Sequence, residues 1–181
     1  MGKTRVVIIG SGPGGYVAAI RGAQLGGEVT VIEDTEVGGT CLNRGCIPTK
    51  TLIASVEALQ KVRHADEFGI EIKGEITFSM AKMMERKDKV VGNLVKGIRA
   101  LFKRHGVNIV EGRGVILSPT EVEVTAKDGL KSTIQADKII IATGSRPAKM
   151  ALFPFDGEKV ITSDEALNLK ETPKSVLIVG A

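Results

Sequence analysis

Apolar positions near the N-terminus follow the order of a strand, a helix and a second strand. Residues 5–10 form a continuous apolar run ending in glycine, which is typical of a parallel strand buried on both faces. Helical spacing of apolar residues predicts a helix over about 14–25, and Gly26 and Gly27 end it. A second strand is predicted over 28–33. Together these segments form a βαβ unit, which indicates an α/β fold.

The pattern beyond this unit changes period twice. Helices are predicted over about 48–64 and from Ser79, as N-cap, to about His105, with Gly106 at the C-terminal cap. Strands are predicted over 107–110, 114–117, 121–126, 131–135 and 138–142, with a hairpin turn at Asp128-Gly129. The run at 138–142 is again continuous and apolar. The sequence therefore predicts a Rossmann-like parallel sheet with helices and a small antiparallel β-meander.

The end of the sequence repeats the pattern found at its beginning. Residues 176–181 form a second apolar run that reaches glycine, after a stretch with little predicted regular structure. We expect a nucleotide-binding domain over 1–147, a connection over 148–174 and the first strand of a second Rossmann-like domain over 175–181. The chain is expected to be truncated inside that second domain.

Composition narrows the function classes. The 181 residues are 43% apolar and 25% charged, and with one Tyr, five Phe and no Trp the core must be aliphatic. The net charge of +4 is mild, and the densest basic cluster, 82–104, also carries Glu85 and Asp88, which favours a solvated helix face over nucleic-acid binding. No apolar run approaches membrane-spanning length, and no room for a signal peptide precedes the first strand. We expect a cytoplasmic protein with no nucleic-acid or membrane partner.

A glycine pattern lies between the first strand and the first helix. Gly10, Gly12 and Gly15 fit Gly-x-Gly-x-x-Gly, which permits a tight turn, close approach of a pyrophosphate and close packing of helix on strand. The helix N-terminus offers amide donors to the anion. Glu33 ends the second strand, where an acid accepts hydrogen bonds from an adenosine ribose. The alternative is a glycine-rich turn without ligand, but this context favours a dinucleotide.

Two cysteines indicate redox chemistry. Cys41 and Cys46 are the only cysteines, and their spacing differs from the Cys-x-x-Cys of thioredoxin-like proteins. Only two histidines exist and neither is nearby, so no metal site is predicted. Disulfide–dithiol exchange is the favoured chemistry, and a structural disulfide or two inert thiols are the alternatives. Because nicotinamide does not usually reduce a disulfide alone, the expected dinucleotide is FAD, which passes electrons between nicotinamide and thiols.

The residues around the cysteines resemble a known signature. Residues 38–50 are similar to the active-site segment of the pyridine nucleotide–disulfide oxidoreductases, in the form closest to the dihydrolipoamide dehydrogenases. Glutathione and mercuric reductases tend to have Val where Leu42 and Ile47 stand here. Residues 143–147 resemble the Ala-Thr-Gly segment of the family, and 176–181 resemble the opening of its NAD domain.

The resemblance implies roles for individual residues. Cys41 would be the interchange thiol that meets dihydrolipoamide, and Cys46 the thiolate beside the flavin, at a site where a lowered thiol pKa is expected. Lys50 would lie near the flavin N5, with a solvated helix lysine as the alternative. For Gly114 the alternative is a bulge or turn glycine. Contact with FAD is implied for Gly10, Gly12, Pro13, Gly14, Gly15, Glu33, Asp34, Gly38, Gly39, Thr40, Cys41, Cys46, Lys50, Gly114, Thr143, Gly144 and Ser145.

The resemblance also implies a larger parent enzyme. In it, dihydrolipoamide would be oxidised through the Cys41–Cys46 disulfide and FAD, and NAD⁺ reduced. Its implied partners are a second copy of itself and the lipoyl domain of a 2-oxoacid dehydrogenase or glycine cleavage complex. Residues 1–147 would be its FAD domain, incomplete without a return segment, and the NAD site and the His–Glu acid–base would lie beyond this sequence. His64 and His105 are expected at helix ends, outside that role.

Residues 1–181 alone are therefore expected to be inactive, with weakened FAD binding. Two alternative functions remain open at this point. One is a sister enzyme similar to glutathione or mercuric reductase. The other is a non-catalytic FAD-binding module, which would have no need of the two cysteines.

Overall fold

Segments that are far apart in the sequence combine into one parallel sheet. A computed structural model of the chain describes residues 2–148 and 151–180. Its elements are β1 (Arg5–Ile9), α1 (Pro13–Gln24), β2 (Glu28–Glu33), α2 (Gly39–Arg44), α3 (Cys46–Arg63), a 3₁₀ turn (Ala65–Phe68), α4 (Met80–His105), β3 (Asn108–Glu111), β4 (Arg113–Ser118), β5 (Glu121–Thr125), β6 (Lys131–Gln135), β7 (Lys138–Ile141) and α5 (Ser163–Ala166). The parallel sheet has the strand order β3-β2-β1-β7, and a second, antiparallel sheet has the order β4-β5-β6. The predicted fold class is confirmed.

The two faces of the parallel sheet are covered by different partners. On one face, Ile8 and Val31 pack with Ala19 of α1 and Phe102 of α4. On the other face, the core contains Val7, Ile9, Ile32, Val122, Val124 and Ala136. Because Val122 and Val124 belong to β5, the antiparallel sheet is the second cover. Burial on both faces explains why β1 has a continuous apolar run at residues 7–9, and why Val31 and Ile32 of β2 are both apolar.

Most elements begin and end within two residues of their predicted bounds. The long helix α4 starts after Ser79, whose side chain accepts a hydrogen bond from the Lys82 amide at 3.3 Å, and it ends at Gly106 with φ +69°. The sequence pattern does not say which sheet the strand predicted at 107–110 joins. As β3, it extends the parallel sheet by pairing with β2.

Two predicted elements differ in the structure. The helix predicted over about 48–64 is α3, and a short helix that was not predicted, α2, precedes it. The two helices meet at Gly45, so both cysteines lie in helices and not in the loop that the sequence suggests. The strand predicted over 175–181 is not formed within the described residues 175–180, whose side chains are exposed. A strand needs a hydrogen-bonded neighbour. All strands of the two sheets lie before residue 142, and none of them pairs with residues 175–180. Ala181 lies outside the described residues. The predicted domain division stays a prediction.

The parallel sheet is also joined at the starting edge of its strands. Arg5 opens β1, and its guanidinium lies 2.8 Å from a carboxylate oxygen of Asp137, just before β7. The Arg5 amide donates to the other oxygen at 2.8 Å. These contacts, the side-chain hydrogen bond first, lower the pKa of Asp137 to about 2.

Acid is therefore expected to weaken the chain over a defined range. An unfolded Asp titrates near pH 3.9, whereas folded Asp137 titrates near 2. Its contribution to stability is complete above about pH 4 and is lost as the pH falls to about 2. Urea denaturation across this range should give a smaller fall in midpoint for Asp137→Asn than for the wild type. Asp66→Asn, at an exposed position with the same charge change, is the control; an unchanged acid response in Asp137→Asn would contradict the prediction.

Candidate nucleotide and disulfide site

The glycine loop is held by backbone contacts that exclude side chains. Gly10 has φ +99°, and a Cβ there would overlap the Ala142 carbonyl oxygen, so the chain can turn there only with glycine. A Cβ on Gly15 would overlap the Gly10 carbonyl oxygen. The predicted roles of these two glycines, a tight turn and close packing of α1 on β1, are confirmed.

Helix α1 starts at this loop without a side-chain cap. Gly12 is its N-cap, Pro13 follows, and the first turn carries no acidic residue. The first backbone hydrogen bond of the helix runs from the Tyr16 amide to the Gly12 carbonyl at 2.9 Å. The amides of Gly14 and Gly15 thus point out of the helix start. Together with the helix dipole they form an electropositive site suited to a phosphate.

Glu33 lies beside the loop, at the end of β2. It is 7% exposed, and its Oε2 accepts hydrogen bonds from the Ser11 amide, at 2.8 Å, and from the Ser11 hydroxyl. Its Oε1 accepts from the amide and the hydroxyl of Thr35, both at 2.9 Å. Burial opposes ionisation, but these four hydrogen bonds outweigh it and lower the pKa of Glu33. The side chain is therefore a carboxylate at neutral pH.

Glu33→Gln is expected to destabilise the chain by about 1–3 kcal/mol. A glutamine amide places an NH₂ group against two donors, either those of Ser11 or those of Thr35. The free energy of unfolding in urea measures the effect. Glu36→Gln is the matched control, because Glu36 is an exposed carboxylate 3.9 Å from the Arg44 guanidinium, and its loss should cost about 0.5 kcal/mol or less. Equal losses in the two variants would contradict the prediction.

The helix that carries Cys41 begins against the same loop. Gly38, with φ +101°, donates from its amide to the Ser11 carbonyl at 3.1 Å. Gly39, with φ +64°, packs so closely on the loop that a Cβ there would lie 2.5 Å from Gly12 Cα. Leu42 buries its side chain in the core. These contacts place the first turn of α2 next to the start of α1.

The two cysteines lie on either side of the break at Gly45. Cys41 is in the first turn of α2 and partly buried, whereas Cys46 opens α3 and is exposed; both are free thiols. The neighbouring Cys46 side chain, followed by partial burial, raises the pKa of the Cys41 thiol above its ordinary value. The lowered thiol pKa expected from a nearby flavin stays a prediction.

Lys50 and residues 143–145, which were also predicted to contact the cofactor, lie near the cysteines and the glycine loop, respectively. Lys50 is exposed on α3, one turn after Cys46, so the two share a helix face. The exposed residues Thr143, Gly144 and Ser145 follow β7 after Ala142, and the Thr143 backbone lies next to Gly10. The carboxyl ends of β1, β2 and β7 thus bring the glycine loop, Glu33 and this segment to one edge of the sheet. That edge is where ligands bind in open α/β sheets.

Gly114 lies in β4, a strand of the sheet that covers the parallel sheet, and Asp34 lies directly after β2. Gly114 is in regular pairing with Val124, and a Cβ there would lie 3.3 Å from Ile9 and 3.4 Å from Ile32. It is therefore neither a bulge nor a turn glycine, and its side faces the core. Asp34 is half-exposed and lies 4.0 Å from the Arg146 guanidinium. Pro13 and Thr40 are exposed at the starts of α1 and α2. Cofactor contact by these residues stays a prediction.

Three further polar residues organise the site and were not predicted. Ser11 and Thr35 supply all four donors to Glu33. Asn43 donates from its side-chain amide to the carbonyls of Val37 and Gly39, both at 3.0 Å. The one available signal was a serine and a threonine placed next to the ends of two adjacent parallel strands.

Within residues 2–148 and 151–180, no three His, Cys, Asp or Glu side chains lie close enough together to hold a metal ion. Among the helices of the same residues, none is both long and apolar enough to cross a membrane. The two histidines are at helix ends as expected: His64 follows α3, with its Nδ1 2.9 Å from the Gln60 carbonyl, and His105 ends α4.

Known proteins are similar in sequence to this chain along nearly its whole length. The dihydrolipoyl dehydrogenase of Bacillus subtilis is 44% identical over 176 residues, which cover 97% of this chain and 38% of that protein. Leghemoglobin reductase of Vigna unguiculata is 45% identical over 178 residues, or 97% of this chain and 34% of that protein. The chain thus spans a little over a third of the length of these curated relatives.

Solved structures give the same result at lower sequence identity. LpdA from Mycobacterium tuberculosis superposes with a TM-score of 0.82 at 29% identity, over 93% of this chain and 38% of that one. The HOCl-induced flavoprotein disulfide reductase RclA from Escherichia coli superposes with a TM-score of 0.76 at 28% identity, over 94% and 35%. The sequence profile of one family, described as pyridine nucleotide-disulphide oxidoreductase, matches residues 4–181. With its glycine loop, its buried acid and its cysteine pair at one edge of the sheet, this chain belongs to that family.

Proposed function

We propose that this chain supplies the FAD-binding and disulfide-bearing part of a dihydrolipoyl dehydrogenase. One observation carries the proposal: the helix with Cys41 packs directly on the nucleotide loop, through Gly39 and Gly12. A nucleotide held at the loop is thereby brought to the redox cysteines. The relatives named dihydrolipoyl dehydrogenase support the substrate class.

The residues at the loop fit the diphosphate of FAD. The uncapped start of α1 offers the amides of Gly14 and Gly15, no acid repels an anion there, and Gly12 has only Gly39 within 4 Å of where a Cβ would be. The position of Glu33 suits a ribose, but both of its oxygens already accept two hydrogen bonds. A ribose hydroxyl would therefore replace one of the present donors, and the exposed Thr35 is easier to displace than the buried Ser11.

The cysteine pair performs the exchange with substrate. In the oxidised chain, a thiolate of dihydrolipoamide attacks the sulfur of Cys41, the bond between the cysteines breaks, and Cys46 leaves as a thiolate. The second substrate thiolate then attacks the substrate sulfur of the mixed disulfide, which closes the lipoamide ring and releases Cys41. Overall, the dithiol substrate loses two electrons, which the cysteine pair gains, and two protons, of which one passes to the released Cys41 sulfur and the other to solvent. The raised pKa of Cys41 favours Cys41 as the thiol that keeps a proton.

Further parts of the reaction depend on groups other than these cysteines. Bound FAD would supply a two-electron carrier between the dithiol and NAD⁺. Lys50, on the same helix face as Cys46, would place a positive charge beside that carrier. The NAD⁺ site, the acid–base pair, a second subunit and the lipoyl domain of a 2-oxoacid dehydrogenase or glycine cleavage complex belong to the proposal for the whole enzyme, as does its cytoplasmic location.

A chimeric enzyme tests the proposal. This chain replaces the corresponding 38% of the Bacillus subtilis dihydrolipoyl dehydrogenase, and NAD⁺ reduction by dihydrolipoamide is measured together with the FAD content. We expect a flavinated, active chimera. A folded chimera that binds no FAD, or binds it without any turnover, would contradict the proposal.

Substrate choice is tested on the longer protein that the proposal implies. Strong turnover of glutathione disulfide or mercuric ion, with little dihydrolipoamide oxidation, would favour a sister reductase instead. Unchanged function after serine replacement of both cysteines would favour a non-catalytic module.

Residues 1–181 by themselves should bind FAD weakly and give no NAD⁺ reduction, because they contain one dinucleotide-binding glycine loop and the reaction needs two. Normal turnover by residues 1–181 would contradict this part of the proposal.

A further inference from the structure

We propose that Ser11 is a positioning residue that connects the nucleotide loop and Glu33 to the helix carrying Cys41, and thereby favours disulfide formation with Cys46. The inference rests on the proposed function, since it concerns the same cysteine pair. It assigns a task to a side chain that the Gly-x-Gly-x-x-Gly pattern leaves free to vary.

The first observation is the hydrogen bonding of Ser11. The residue is completely buried. Its amide and its hydroxyl both donate to Oε2 of Glu33. Its carbonyl and its hydroxyl oxygen both accept from the Gly38 amide, at 3.1 and 3.3 Å. The hydroxyl thus donates to one element and accepts from another, so its removal takes away the side-chain link between β2 and the start of α2 and leaves the backbone hydrogen bonds of Ser11 in place.

The second observation concerns the helix that Gly38 starts. Helix α2 has only six residues and no side-chain cap. So short a helix is not stable by itself, and its position depends on tertiary contacts. The contacts at its first turn are the Gly38 hydrogen bonds to Ser11, the packing of Gly39 on Gly12 and the clamp by Asn43. Cys41 lies in that turn, and Cys46 lies across a helix break.

These facts link Ser11 to the probability of forming the disulfide. A disulfide forms only when two cysteines meet a narrow range of Cβ–Cβ distance and dihedral angle. The cysteines belong to separate helices, so their relative position follows the placement of α2 against α3. If the first turn of α2 is held less firmly, the two cysteines spend less time at the geometry that a disulfide requires. The equilibrium then shifts from the disulfide toward the dithiol.

Thr35 offers a matched control. Its hydroxyl donates to the same carboxylate at 2.9 Å, on the other oxygen, and its hydrogen bonds within the described residues all go to Glu33. Thr35→Ala and Ser11→Ala therefore each remove one hydroxyl donor from Glu33. Only Ser11→Ala also removes an acceptor from the Gly38 amide.

The test is the dithiol–disulfide equilibrium of the 181-residue chain in glutathione buffers at neutral pH. Two chain thiols and one oxidised glutathione give the chain disulfide and two reduced glutathiones, and maleimide trapping followed by intact mass counts the thiols. We expect Ser11→Ala to lower the equilibrium constant at least about threefold, as for loss of one hydrogen bond, and Thr35→Ala to leave it within about 1.5-fold. Thermal unfolding of both variants measures general destabilisation. Both should lose some thermal stability, so a difference between their equilibrium constants reports on the Gly38 contact instead.

An unchanged constant in Ser11→Ala, or equal shifts in both variants, would overturn the assignment. Should Ser11→Ala not fold, Ser11→Gly leaves room for a water near Gly38 and is measured against the same control, with the same outcomes. The assay contains neither FAD nor dihydrolipoamide. Its result is therefore independent of whether the chain serves a dihydrolipoyl dehydrogenase.

Discussion

Gly15→Ala is expected to destabilise the chain by about 3 kcal/mol or more, at the upper end of what overpacking costs. A Cβ at this position would overlap the carbonyl oxygen of Gly10, and that atom belongs to the backbone. Neither group has a rotamer that relieves the overlap, so α1 must shift away from β1. Urea denaturation followed by far-UV circular dichroism measures the loss.

Gly14→Ala is the matched control for this substitution. It lies one residue earlier in the same helical turn, where the nearest atom to an added Cβ is the Ala142 Cβ at 4.0 Å. Alanine there should be neutral or should stabilise the chain by up to about 1 kcal/mol, because it restricts the unfolded chain. If Gly15→Ala were as stable as Gly14→Ala, the close packing of α1 on β1 described above would be wrong.

Cys41→Ser and Cys46→Ser are each expected to reduce NAD⁺ reduction by the chimera to the background of the assay. Each change removes one of the two sulfurs that the exchange with dihydrolipoamide requires, and serine cannot form the disulfide. FAD content, measured on the same samples, should change little, because the nucleotide loop belongs to other residues. Loss of turnover with FAD retained is the expected pattern for both variants.

Ala54→Ser controls for the substitution itself. Ala54 is exposed on α3, the helix that Cys46 opens, so the variant introduces a hydroxyl on the same helix without removing a sulfur. Its activity should equal that of the unmodified chimera. Turnover at the control level by either cysteine variant would show that the pair does not carry the reaction.

The strands and the long helix could be predicted because their signals are local. The apolar run of β1 reflects its burial on both faces, and α4 carries its own cap at Ser79 and its own stop at Gly106. The short helix α2 could not be predicted in this way. It depends on Leu42 entering the core and on contacts of Gly39 with a distant loop. The local sequence pattern likewise does not indicate which strand β3 pairs with, because that depends on the positions of strands distant in the sequence.

The chemistry of the site was predictable only in part for the same reason. The glycine loop and the cysteine segment are contiguous motifs, so their residues could be named in advance. The hydrogen bonds of Ser11 and Thr35 to Glu33 depend on which strands lie side by side. The neighbour that raises the pKa of the Cys41 thiol is Cys46, and this contact across the break at Gly45 is likewise not a local signal.

Flavin absorbance during one anaerobic turnover is the most direct test of the proposed function. The oxidised, FAD-loaded chimera is mixed with dihydrolipoamide in the absence of NAD⁺, alongside its Cys46→Ser variant. The proposal predicts that the flavin absorbance bleaches in the chimera and stays unchanged in the variant. Equal bleaching in both, or none in the chimera while its cysteines become reduced, would contradict it.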